Sequence, residues 1–336
     1  MRERLSKSLT GLGLSLALIG CSDSVNSAES TRKDWSTRAP LLEANSEMAV
    51  VESNGKIYVI GGYPSTRVTV AAVQVYDTKT DRWEITTPLP LAVNHTVAAA
   101  ANRTLYVIGG QTSAESAPER AGFVDTVFVY DPAKATWTRR ASMPTARGGG
   151  AAVVVDGKIY VVGGRPPRGA DFAVYDPSAD MWTTLPNLPT QRNHIAAAAI
   201  DGKIFVAGGR FEGGFRSQMT NVLEVFDPKT GAWASRKPMP TVRGGVNGIA
   251  ANGCLHVFGG EGNAADPKGL FHQHEAYNPV TDSWTSLEPM PVPVHGVTGA
   301  VFIDGWIHLP GGGTEQGGSS GSTIHQVYRP TMQCRP

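Results

Sequence analysis

Cysteine, charge and long apolar runs are all scarce in this chain, and each scarcity narrows what it can be. Three cysteines among 336 residues cannot frame a disulfide scaffold, so stability has to come from packing, for which the chain is long enough. Charged residues make up 18%, with 30 Lys and Arg against 29 Asp and Glu for a formal net charge of +1. So even a balance leaves no basic footprint for a phosphate backbone, which excludes nucleic acid as a partner. There is no HExxH, no G-x-S-x-G elbow and no Walker loop, so the common metalloprotease, hydrolase and nucleotide signatures are missing and no cofactor is expected. What the chain has in excess is 39 Gly and 23 Pro. That many turn formers exclude a helical protein and predict many short strands.

The first segment is an address. Arg2, Arg4 and Lys7 precede an apolar run at 9–20, LTGLGLSLALIG, which is too short for a permanent span and reads as a secretory signal. It ends in Leu18-Ile19-Gly20-Cys21, which resembles the bacterial lipobox and implies lipidation of Cys21. Residues 1–20 are thus expected to be a lipoprotein signal peptide. The polar stretch 21–34 has no apolar period and is expected to be a flexible tether. Ser22 after the cysteine resembles Gram-negative sorting signals for the outer membrane, so the expected location is the bacterial envelope, with the lipid as the sole membrane contact.

One unit is then written six times. An apolar strand ends in two glycines at KIYVIGG (Gly62), TLYVIGG (Gly110), KIYVVGG (Gly164), KIFVAGG (Gly209), CLHVFGG (Gly260) and WIHLPGG (Gly312). In phase with it come Tyr76, Tyr130, Tyr175, Phe226 and Tyr277, each followed seven residues later by Trp83, Trp137, Trp182, Trp233 and Trp284. Asn54-Gly55, Asp156-Gly157, Asp201-Gly202, Asn252-Gly253 and Asp304-Gly305 mark two-residue hairpins, with Asn102-Arg103 as the deviant. This pattern resembles the kelch repeat, whose units are four-stranded blades of a β-propeller. The resemblance implies an all-β, six-bladed kelch propeller over residues 35–336. Tyr328 has no tryptophan seven residues on, whereas Trp35 has no unit before it. An N-terminal strand around Trp35 is therefore expected to supply the outer strand of the C-terminal blade and close the ring. Trp306 is out of phase and is expected in the core of a second strand.

The turns between first and second strands are minimal, whereas the opposite face carries long loops at 111–124, 210–221 and 261–274. Function is expected on the long-loop face. A gap-free alignment of the six first strands puts Asn45, Val93, Arg147, Arg192, Arg243 and His295 in one ring, with Glu47, His95 and His194 two residues on. Arg165 and Arg210 follow their double glycines on the same face. These residues are read as a ligand site with converging guanidinium groups that suit a carboxylate; kelch arginines at this place can instead bond loop carbonyls or a nearby acid. The expected function is a monomeric, lipid-anchored binding module for a glycan, an acidic sugar or other acidic small molecule, or a protein. The alternative is a sugar-active enzyme similar to the sialic acid mutarotases, with Glu47, His95 or His194 as acid-base groups. A metal site on His95, His194 and His295 is expected to fail on distance, and His272 with His274 reads as a surface pair. Cys254 and Cys334 can both reach the short-turn face, which permits a disulfide without requiring one.

Overall fold

The computed structural model describes residues 34–66, 68–113 and 122–334. The expected signal peptide at 1–20, Cys21 and all but the last residue of the tether lie outside the described residues. From Asp34 onward the chain forms one unit of six sheets; four hold four strands consecutive in the chain, and each of the other two also takes a strand from elsewhere, Trp35–Thr37 in one and Val297–Thr298 in the other. Blade 3 is representative, with strands Ala151–Val155, Lys158–Val162, Phe172–Asp176 and Met181–Thr184 paired antiparallel from the axis outward. Its first hairpin turns at Asp156 and Gly157 with φ of 49° and 74°, the two positive values that a type I′ turn needs. Blade 2 makes the same turn with Arg103 at φ 64°, and there the Arg103 Nε donates to Asn54 Oδ1 of the neighbouring hairpin at 3.0 Å.

Alternate residues of each blade face its two neighbours, and the described residues form six apolar clusters, one at each blade interface. Between blades 3 and 4, for example, Tyr160, Val162 and Phe172 meet Ile204, Val206 and Phe226. The double glycines let the next blade come close. Gly163 has φ 69°, and a Cβ there would lie 2.7 Å from the Arg192 carbonyl oxygen of blade 4. Each repeated indole also reaches back across an interface. Trp83, Trp137, Trp182, Trp233 and Trp284 donate Nε1–H to the carbonyls of Ala39, Thr87, Ala141, Pro186 and Lys237 at 2.7–3.0 Å.

Trp35 completes that series. Its strand, Trp35–Thr37, pairs antiparallel with His325–Tyr328, and its Nε1 donates to the Glu288 carbonyl at 3.0 Å. The expected closure by the N-terminal strand is therefore the one observed. A second tie was not anticipated: Val297–Thr298 pairs parallel with Met48–Ala49 of blade 1 before the chain returns to blade 6 at Val301–Ile303. Cys254 and Cys334 form a disulfide, and Cys334 N donates to the Asn252 carbonyl at 3.0 Å, which pins the tail to a blade 5 hairpin. Trp306 is not core; it is half-buried, with the guanidinium groups of Arg38 and Arg329 at 5.0 and 5.8 Å from its ring.

Two buried histidine pairs lie beside the N-terminal strand. His256 Nδ1 meets His274 Nε2 at 2.9 Å in blade 5, and His308 Nδ1 meets His325 Nε2 at 3.0 Å in blade 6. The His274 ring packs 6.0 Å from Trp35, and the His325 Nδ1 donates to the Ala39 carbonyl at 3.2 Å. His274 is thus a core residue, and only His272 of the expected surface pair is exposed. Burial pushes His256 and His308 down to about 4 and His325 to about 3, and holds His274 well below the usual imidazole range. Arg38 and Arg243 oppose protonation, whereas Asp81 and Asp304 favour it weakly. The unfolded chain, with imidazoles near 6.5, binds more protons than the folded one below that pH. Stability should therefore be full above pH 6.5 and fall as pH drops toward 4, by about 1.4 kcal/mol per pH unit for each such histidine. Urea unfolding at pH 7 and pH 5 measures it, and equal stabilities at the two values would contradict the buried neutral pairs.

Candidate functional site

On the long-loop face the chain enters each blade through a three-residue segment just before the innermost strand. Its first residue accepts from the second glycine of the preceding double glycine or its neighbour's, as in Gly62 N to Val93 O, Gly110 N to Arg147 O, Gly164 N to Arg192 O and Gly260 N to Val294 O. Blade 6 is thereby offset by one residue: Val294, not His295, is equivalent to the arginines. The extra residue lies in the segment that crosses to blade 1, which a gap-free alignment could not see.

The three arginines at the first position do not converge on a ligand. Arg192 and Arg243 are fully buried and Arg147 is nearly so. Arg147 donates to the carbonyls of Gly163, Asp171 and Val161, and burial pulls it down to about 10, which leaves it charged at neutral pH. Arg192 donates to Gly208 and Val206 carbonyls and pairs with Glu224 at 2.5 Å; Arg243 donates to the Val257 carbonyl and pairs with Glu275 at 2.5 Å. Each guanidinium turns back along the second strand of a blade, where unpaired carbonyls at the double glycine need donors. Asn45 likewise donates to the Gly61 carbonyl at 2.6 Å. These four are therefore framework residues.

The third position makes the site. Glu47, His95, Gly149, His194, Gly245 and Gly296 all have positive φ, between 50° and 75°. Their backbones form a closed ring around the axis: His95 N donates to Glu47 O, Gly149 N to His95 O, His194 N to Gly149 O, Gly245 N to His194 O, Gly296 N to Gly245 O, and Glu47 N to Gly296 O. Three blades supply the glycine that such a backbone favours, whereas Glu47, His95 and His194 carry side chains at a cost of roughly 1–3 kcal/mol each.

Those side chains meet. His95 Nε2 and His194 Nε2 lie 3.1 and 3.8 Å from Glu47 Oε2, and His295 Nδ1 lies 3.8 Å from Glu47 Oε1. One ligand atom from each of Glu47, His95 and His194 lies within 4.8 Å of the other two. The backbone ring draws these segments inward, so His95 and His194 meet at the axis, with Glu47 and not His295 as the third group of the cluster. His194 donates Nδ1–H to Asn193 Oδ1 at 2.6 Å, and the Asn193 amide is oriented by donating to the carbonyls of Arg210 and Glu212. His95 makes the same contact with Asn94 Oδ1. Arg165 and Arg210 donate to the Nε2 atoms of His95 and His194 at 2.8 and 2.7 Å. Burial pushes His95 down to about 3 and His194 well below the ordinary value, so both rings are neutral.

Above this cluster opens a cavity of about 200 Å³ lined by Glu47, His95, Arg165, Arg210, Glu261, Tyr63 and Phe215, with glycines of two loops. Arg210 is buried and ion-paired to Glu261, while Arg165 is half-buried and held by Gln111 Oε1 at 3.2 Å. Two carboxylates thus balance two guanidinium groups. Tyr63, Phe215 and Glu261 were missed as site residues; Tyr63 and Glu261 stand directly after their double glycines, at the place of Arg165 and Arg210, which was the available signal. Below the ring an apolar shaft of about 350 Å³, lined largely by Ala and Val of the innermost strands, extends along the axis.

The family model for the KLHDC2/KLHL20/DRC7 Kelch-repeats domain matches residues 21–188 and 143–312. Kelch-like protein terF of Aspergillus terreus is 32% identical over 95% of this chain and 73% of its own length. Kelch-like protein 25 of Xenopus tropicalis is 27% identical over 87% of this chain and 40% of its own. Among solved structures, YjhT superposes with a TM-score of 0.70 at 16% identity, covering 86% of this chain and 96% of its own, a likeness of fold alone. Six copies of one four-stranded unit, the indole series that ties each to the last and a family match along most of the sequence agree that this chain belongs to the kelch-repeat family of β-propellers.

Proposed function

We propose that this propeller is a binding module of the bacterial envelope, held there through Cys21, whose mouth pocket takes a single neutral sugar ring of a glycan. The observation that carries the reading is the balanced polar lining: Arg165 and Arg210 offer donors, Glu47 and Glu261 offer acceptors, and Tyr63 and Phe215 add aromatic rings to the wall. Hydroxyl groups use both kinds of partner, whereas a carboxylate would meet two of its own sign. An acidic ligand also loses Arg147, Arg192 and Arg243, which are turned into the blades. The volume suits one ring rather than a drug-sized molecule. Calorimetric titration with neutral and acidic monosaccharides is the test. A neutral sugar should bind, and Arg165→Ala should weaken it by about ten- to a hundredfold, the span of a hydrogen bond to a charged group. Binding of acidic sugars alone, or an unchanged Arg165→Ala, would overturn it. The strained backbone at Glu47, His95 and His194 favours one second reading, sugar mutarotation, which faster anomeric exchange in the presence of the protein would reveal.

A further inference from the structure

Two imidazoles and one carboxylate face a common point beneath the mouth pocket, and their orientation is set from behind. Asn193 and Asn94 take the Nδ1–H of His194 and His95, which leaves the Nε2 lone pairs directed inward toward Glu47. Metal-ligating histidines are held this way, by an oxygen acceptor on the far ring nitrogen. A second observation is independent of these three residues. His295 is fully buried and donates Nε2–H to the Glu315 carbonyl at 2.7 Å, and its Nδ1, without a hydrogen-bond partner among the described residues, lies 3.8 and 3.7 Å from Glu47 Oε1 and Glu261 Oε2.

We propose that Glu47, His95 and His194 bind one divalent transition-metal ion through the Glu47 carboxylate and the two Nε2 atoms, with a further coordination position open to the mouth cavity. Two imidazoles and one carboxylate suit zinc or cobalt, and magnesium and calcium, which take all-oxygen sites, do not fit. Arg165 and Arg210 donate to the same lone pairs, so the ion competes with them. Arg165 is half-buried at the rim and its other side-chain bond goes to the neutral Gln111, so it is the less firmly held of the two, while Arg210 keeps Glu261 after releasing His194. The guanidinium groups therefore limit affinity, and removing Arg165 should raise it.

The experiment is dialysis of the untagged full chain against Co²⁺, Zn²⁺ or Mg²⁺, followed by metal content and the visible absorption of bound Co²⁺. One Co²⁺ per chain is expected, displaced by Zn²⁺ and not by Mg²⁺. His95→Asn and His194→Asn keep a residue type that tolerates positive φ and should each abolish the cobalt band, and Asn193→Ala should weaken binding by about ten- to a hundredfold. Arg165→Ala, which removes the competing donor to His95 together with its bond to Gln111, should bind the ion more tightly than the native chain and keeps the proposal decidable if the histidine variants do not fold. No retained ion, a band that survives both histidine changes, or weaker binding by Arg165→Ala would each overturn the site.

Discussion

Removing the N-terminal strand is expected to melt the whole disc early. Deleting residues 34–40 takes away Trp35, which is 6% exposed and whose ring packs 5.0 Å from Tyr328 and 5.9 Å from Phe258. Truncation of a buried aromatic alone costs about 3–5 kcal/mol. The deletion further strips the backbone partners of Gln326, Val327 and Tyr328, and the Ala39 carbonyl that receives the Trp83 indole and His325. An unpaired edge on blade 6 then invites association between molecules. A scanning-calorimetry melting temperature far below that of the native chain, with aggregation, is the expected result. Trp35→Ala separates the ring's share from that of the strand. An unchanged melting temperature in both variants would mean that the ring closes without its clasp.

Arg243→Ala should be as damaging for a different reason. The guanidinium and its partner Glu275 are both buried, and Glu275 Oε1 also accepts from Thr241 Oγ1 at 2.6 Å. Removing one member of a buried pair leaves the other charged and unsolvated, at a cost of roughly 3–5 kcal/mol. Replacing both with apolar residues, as in Arg243→Met with Glu275→Leu, should recover most of that loss, since no orphan charge remains. Urea denaturation of the two variants measures the contrast. Ligand affinity of the folded fraction should not change, because this arginine points away from the mouth. Lost affinity with intact stability would return Arg243 to the pocket.

The fate of these arginines also shows where sequence reading ran out. The blades were legible because their signals are local and repeated: a turn that needs Asn-Gly or Asp-Gly, two glycines, and two aromatics seven residues apart. Spacing places a Cα, however, and a long side chain can leave it in more than one direction. The signal that decides it was present, though easily passed over. Glu224 and Glu275 sit inside third strands, two residues before Phe226 and Tyr277, in the two blades that own Arg192 and Arg243, while blade 3 has Ala173 there and Arg147 turns to carbonyls instead. A carboxylate in an apolar strand needs a partner, and its blade's own arginine is at hand. The ring of Glu47, His95 and His194 was legible as a place but not as a cluster, because the inward pull comes from backbone bonds between blades.

That backbone ring also governs how such a pocket can vary. A Cβ on Gly149 would stand 3.2 Å from the His194 ring, one on Gly245 3.2 Å from the Glu261 side chain, and one on Gly296 2.8 Å from a Glu47 carboxylate oxygen. The bare positions are thus the room into which the occupied ones extend. Six equivalent sites share one small volume, so a residue gained in one blade must be matched by a residue surrendered in another, and changes of ligand preference along a lineage should arrive as compensating exchanges around the axis while the blades beneath stay as they are.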